Sequence, residues 1–208
     1  MKTITQYCWL MLLTATLAGT ANAGIIHDEG ASGDLSDNNL APTALAIAPG
    51  SNIVTGSTTA SPLDRDIFSI TVAAGQELVA ILLDTYNASD DQSFFAVAAG
   101  NTLSSLVSLP ALLGNALIGA TAGAMEGDDV LDDLGALTFA GSTGFSGALG
   151  PGTYTFWLQE TTVGIPGYAL DFQVRGGGEI PLPATLWLLL PALLMMRRTR
   201  PAALGVPR

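Results

Sequence analysis

The chain has 208 residues and a formal net charge of −11, a figure that hides an asymmetry. All 18 acidic residues lie between Asp28 and Glu179, against two basic ones, Arg65 and Arg175, so this lysine-free stretch carries a net charge of −16. Such a body repels nucleic acid and anionic lipid, which excludes nucleic acid as a partner, and it attracts cations.

The N-terminus, residues 1–23, has the parts of a secretory signal peptide. Lys2 is the positive head, Cys8 to Leu17 the apolar run, and Ala21-Asn22-Ala23 the small residues that signal peptidase accepts, leaving Gly24 as the new first residue. The expected partners at this stage are the Sec export machinery and signal peptidase. The only cysteine, Cys8, falls in this leader without a lipobox, so no disulfide is expected in the exported chain. Residues 24–175 are long enough to bury their own core and read as one acidic domain outside the cytoplasmic membrane.

That domain opens on Asp28, Glu29, Asp34 and Asp37, read as a flexible acidic segment. Strands are predicted at 52–57, at 66–72 with Phe68, Ile70 and Val72 inward, at 77–83 and at 93–97, with a weaker one at 138–140. Residues 101–124 stay open between a helix broken at Pro110 and a glycine-rich loop insertion. Gly150-Pro151-Gly152 turns the chain into a strand at 153–158. The clearest alternation follows, with Tyr168, Leu170, Phe172 and Val174 on one face and Ala169, Asp171 and Gln173 on the other. These last two strands are expected to pair as a hairpin with a long loop. Short strands with glycine turns predict an all-β fold, an antiparallel β-sandwich or jelly roll.

The chemistry-bearing residues favour a hard cation over catalysis. Calcium takes six to eight oxygens from carboxylates and carbonyls. Asp64 and Asp66 sit two apart before a strand, so their carboxylates can converge, and Asp34 and its acidic neighbours could fold back to complete the shell. Asp128 and Asp129, with Asp132 and Asp133 after them, form a second candidate site. Neither stretch matches an EF-hand, and solvated acids that cap turns are the competing reading of both. One histidine outside the leader, His27, and no cysteine there argue against a transition metal. The same shortage argues against a nucleophilic enzyme, and the serine-rich run 141–147 lacks the spacing of a nucleophile elbow. Adjacent carboxylates such as Asp90-Asp91 could serve a glycosidase but read as solvated surface. No catalytic residue is assigned. Trp157 alternates onto the face opposite Tyr154, Phe156 and Leu158, where it either stacks on a sugar or packs beneath a loop.

The C-terminus begins with a Gly-rich linker, residues 176–179. Ile180-Pro181-Leu182-Pro183-Ala184 follows, then an apolar run containing Trp187, and Arg197, Arg198 and Arg200. The 17 residues from Ile180 to Met196 sit at the lower limit for a bilayer-spanning helix, expected at about 183–197, and the arginines mark its cytoplasmic side. Pro181 and Pro183 favour an extended backbone that a membrane-embedded peptidase could grip.

Residues 179–200 resemble the PEP-CTERM sorting signal, in a variant with Leu182 between the prolines and with residues 201–208 extending past the arginines. The resemblance implies an exosortase as partner, processing near the proline motif, and association with exopolysaccharide or biofilm at the surface of a Gram-negative cell. The order Gly56-Ser57, then Asp64 to Gly75, then Gly150 to Phe156 resembles the bacterial pre-peptidase C-terminal domain. That likeness implies a small non-enzymatic jelly roll, some members of which bind calcium and some polysaccharide or matrix protein.

Overall fold

The computed structural model describes residues 24–87, 92–106, 109–119, 124–136 and 139–176. The stretches expected to be a signal peptide, a sorting motif and a membrane helix lie outside the described residues, as does Asp90-Asp91. Among those described, no helix is long and apolar enough to cross a membrane.

The fold is all-β, built from two sheets. The four-stranded sheet runs β1 (Gly24–Asp28), β3 (Gly50–Ser57), β10 (Gly167–Arg175), β6 (Glu77–Asn87). The six-stranded sheet runs β2 (Thr43–Leu45), β5 (Leu63–Val72), β9 (Gly152–Glu160), β7 (Ser93–Ala99), β8 (Gly114–Ile118), with the short β4 (Thr59–Ala60) also on β5. Among the described residues, two short helices, α1 (Glu29–Ser32) and α2 (Val130–Ala136), complete the regular structure beside a 3-10 turn at Leu109–Ala111.

Alternation in the strands sends one set of side chains between the sheets. Phe68, Ile70 and Val72 of β5, Phe156 and Leu158 of β9, and Leu170, Phe172 and Val174 of β10 all lie in the main buried cluster. Phe68 stacks on Phe156 at 5.6 Å between ring centroids. Phe172 meets the Phe156 ring edge-on from the other sheet at 5.1 Å. Ring pairs of this kind add to burial, and truncating Phe156 to alanine at such a site costs about 3–5 kcal/mol.

Three expectations need correction. The sheets are mixed, since β1 pairs with β3 and β2 with β5 in parallel. The expected hairpin does not form: β9 and β10 belong to different sheets and meet through Phe156 and Phe172. Both strands are central, each flanked on two sides, so each buries its apolar face more fully than a lone hairpin would. The acidic N-terminal segment is also not loose. Gly24–Asp28 is strand β1, Leu35 is buried in the main core, and the Ile67 amide donates to Ser36 O at 2.9 Å.

Of residues 101–124, those described form a loop with the 3-10 turn and then strand β8. The loop covers the outer face of the six-stranded sheet, where Leu103 and Leu112 pack with Ile67, Ala96, Ala98 and Trp157. Thr138 lies outside the described residues, and Ala140 forms only an isolated bridge to Ser142 rather than a strand.

Candidate metal centre

The first residues of β5 set up the site. Its inward positions are 66, 68, 70 and 72, so Asp66 occupies the next inward place after three apolar side chains. Asp66 is 0% exposed. One of its oxygens, Oδ2, accepts the Tyr168 hydroxyl at 2.7 Å, and the other, Oδ1, is buried with no hydrogen-bond partner among the described residues. Two residues earlier, Asp64 also has a buried oxygen without a partner. Buried polar atoms are normally satisfied, so two orphaned carboxylate oxygens on one strand end need an explanation.

The N-terminal segment supplies further carboxylates. Asp28 caps α1 by accepting the Gly30 amide at 3.0 Å. Glu29 then turns across β3, where its Oε2 accepts the Ser57 amide at 2.7 Å and its Oε1 the Leu35 amide at 3.4 Å. Gly56 makes this approach sterically feasible: a Cβ there would lie 2.7 Å from both the Glu29 carboxyl carbon and the Tyr168 hydroxyl. Glu29, Asp34 and Asp66 each present an oxygen, and the three atoms lie within 4.8 Å of one another. Oxygens bound to one calcium at about 2.4 Å can be separated by up to about that distance.

The electrostatics are those of acids held together without a counter-charge. Burial, then the charge of Glu29, lifts the Asp66 carboxyl to about 9 against the opposing Tyr168 hydrogen bond. Burial and then the charges of Asp34, Asp37 and Glu29 lift Asp64 to about 6. Burial beside Asp66 pushes the Tyr168 hydroxyl well above its ordinary range, so it stays a proton donor. The one nearby cation in sequence, Arg65, does not relieve the cluster. Alternation turns its side chain to the opposite face of β5, where Nε donates to Gln159 Oε1 at 2.8 Å. A hard divalent ion is the charge that would satisfy Asp66 and its neighbours, and an all-carboxylate donor set suits calcium better than a transition metal.

Of the predicted metal residues, Asp34 and Asp66 meet in this cluster, with Asp64 beside them. Glu29 was not singled out in sequence as a ligand in its own right, although Gly56, 27 positions later, marks the space it needs. Asp128 and Asp129 do not join such a group among the described residues. Asp129 Oδ1 accepts the Ile81 and Leu131 amides at 2.9 and 3.0 Å, capping α2, and Asp128 Oδ2 accepts the Met125 amide at 2.9 Å. Burial and the neighbouring charges of Asp128, Asp132 and Asp129 raise Asp133, but those acids serve a turn and a helix start.

No family model matches the chain, and no curated protein or solved structure shows significant similarity to it.

Proposed function

We propose that this chain is an exported, non-enzymatic surface protein whose folded domain is a calcium-stabilised jelly-roll module of the pre-peptidase C-terminal type. The observation that carries the calcium reading is the convergence of Glu29, Asp34 and Asp66, each with an oxygen within 4.8 Å of the others, where Asp66 also has a buried oxygen with no partner among the described residues. A carboxylate in that position is costly when charged and alone, and becomes an asset when an ion neutralises it. The supports for delivery are in the sequence: Ala21-Asn22-Ala23 at one end and Ile180 to Ala184 with Arg197, Arg198 and Arg200 at the other. In this reading Sec and signal peptidase release the N-terminus, an inner-membrane intermediate holds the domain outside, and an exosortase passes it to the cell surface or extracellular matrix.

Two measurements test the two halves separately. Calorimetric titration of the EGTA-treated protein, recovered from its host's medium or envelope, should show saturable calcium binding that Asp66→Asn abolishes. A flat titration with millimolar calcium removes the metal. Intact-mass analysis of the exported form should give termini at Gly24 and near Pro181. Recovery of the full-length chain, leader attached, from the cytosol removes the delivery route.

A further inference from the structure

The outer face of the six-stranded sheet holds a second feature, unconnected with the carboxylates. An outer sheet face normally meets water with polar side chains. Here Leu103, Leu106 and Leu112 cover an apolar cluster, and where the cover ends a groove of about 500 Å3 opens, within the usual range of small-molecule sites. Aromatic rings form one part of its wall. Phe94 meets Trp157 edge-on at 4.9 Å, and Phe139 lies 6.2 Å from Phe94 in a tilted arrangement. Phe139 is 42% exposed although it has an apolar ring to hide.

Polar groups border the same groove. Trp157 is only 7% exposed, and its indole Nε1 is buried without an acceptor. Gln159 uses its amide oxygen on Arg65 Nε at 2.8 Å, which leaves its amide nitrogen and the terminal guanidinium nitrogens of Arg65 with no partner among the described residues. Gln92 adds a further side-chain amide to the lining. Exposed ring faces beside planar amide donors suit a ligand with flat C–H-bearing faces and a rim of hydroxyls. An apolar peptide would leave the amides and the guanidinium unused, and a nucleic acid is repelled by the domain's charge.

We propose that this groove is a carbohydrate-binding site for a neutral polysaccharide. Sugar rings lie against Phe139 and Phe94, and the side chains of Arg65, Gln92 and Gln159 take the hydroxyls. A neutral ligand is the one the acidic surface does not repel. The inference goes beyond the calcium reading and does not depend on it, because the groove lies on the opposite face of β5 from Asp64 and Asp66.

Affinity gel electrophoresis of the exported protein in gels containing dextran or laminarin, with the polyanion alginate for comparison, tests this directly. At least one of the neutral glucans should retard the protein, and alginate should not. Phe139→Ala should weaken the retardation at least tenfold, and Arg65→Gln should weaken it by a smaller factor. Both variants should keep the parent's far-UV spectrum and melting temperature, since neither side chain is in the main core. Trp157 emission, isolated by difference against Trp157→Phe, should change on saturation. No retardation by either neutral glucan overturns the proposal, as does retardation by alginate alone or retardation unchanged in both variants. Binding of an apolar dye that quenches Trp157, with no response to any polysaccharide, identifies a hydrophobic docking groove and also overturns it.

Discussion

Two acidic stretches of this chain look alike in sequence and do opposite work in the fold. Both place carboxylates on short glycine-flanked segments near strand ends. At Asp128 and Asp129 the oxygens are spent on amides of Met125, Ile81 and Leu131, so the acids act as local staples. Asp66 meets Glu29 and Asp34 from a distant segment, and although Glu29 also accepts two amides, Asp66 keeps a buried oxygen with no partner among the described residues. Convergence of acids from separate segments with an oxygen left over separates an ion site from a helix cap, and that distinction does not follow from the number of acids.

The contrast can be broken in four ways. The largest effect should come from calcium itself. An ion at about a hundred times its Kd adds about 2.7 kcal/mol, which for a domain of this size raises the melting temperature by about 5–10 °C. Asp66→Asn should abolish that increment, and an unchanged calcium response in this variant would place the ion elsewhere.

Next comes pH. Asp66 at about 9 and Asp64 at about 6 both lie above the ordinary carboxyl value of 3.8. The metal-free folded chain therefore keeps protons that the unfolded chain has released. This stability is fully present below about 3.8 and is lost as pH rises through about 6 and then about 9. Melting of the EGTA-treated protein should fall by several degrees between pH 5 and pH 9, and Asp66→Asn should flatten most of the slope. A rise over that interval would contradict the site as described.

Asp129→Ala should then cost about 1–2 kcal/mol, the loss of a helix cap, with the calcium increment intact. A loss of calcium binding in Asp129→Ala would return that stretch to the list of ion sites. The smallest effect is expected at Gly56→Ala. The added methyl must displace Glu29 or Tyr168, and calcium affinity should fall about tenfold, about 1.4 kcal/mol, with little change in the metal-free melting temperature.

The strands with period-two patterning were legible because their facing is written in the residues. Phe68, Ile70, Val72, Leu170, Phe172 and Val174 all point where alternation sends them. Partner choice was not legible. Nothing in Thr153 to Leu158 or Tyr168 to Val174 says that these neighbours in sequence sit in different sheets, because the loop between them is long enough for either arrangement. Strand β1 and helix α2 were missed for a related reason. Gly24–Asp28 has little pattern of its own and is fixed by the β3 edge, and Val130–Ala136 is too short to display a helical period beyond Val130, Leu131 and Leu134. Two of the three clustered residues, Asp34 and Asp66, were visible in the sequence as metal candidates. The role of Glu29 depended on Leu35 burying itself in the core, a tertiary event that polarity statistics place in a loose terminus.

The ladder around β10 has a consequence for presentation. Gly24 pairs with Asn52, and Asn52 pairs with Phe172, so residues 24 and 172 lie two strand spacings apart, roughly 10 Å. The folded body thus receives and releases its backbone at one pole. Tyr168, which touches Asp66, and the Arg65–Gln159 pair belong to the other pole, about 20 Å farther along the strand. Any tether leaving past residue 175 therefore holds the body by its blunt end and turns the carboxylates and the aromatic groove away from the attachment point.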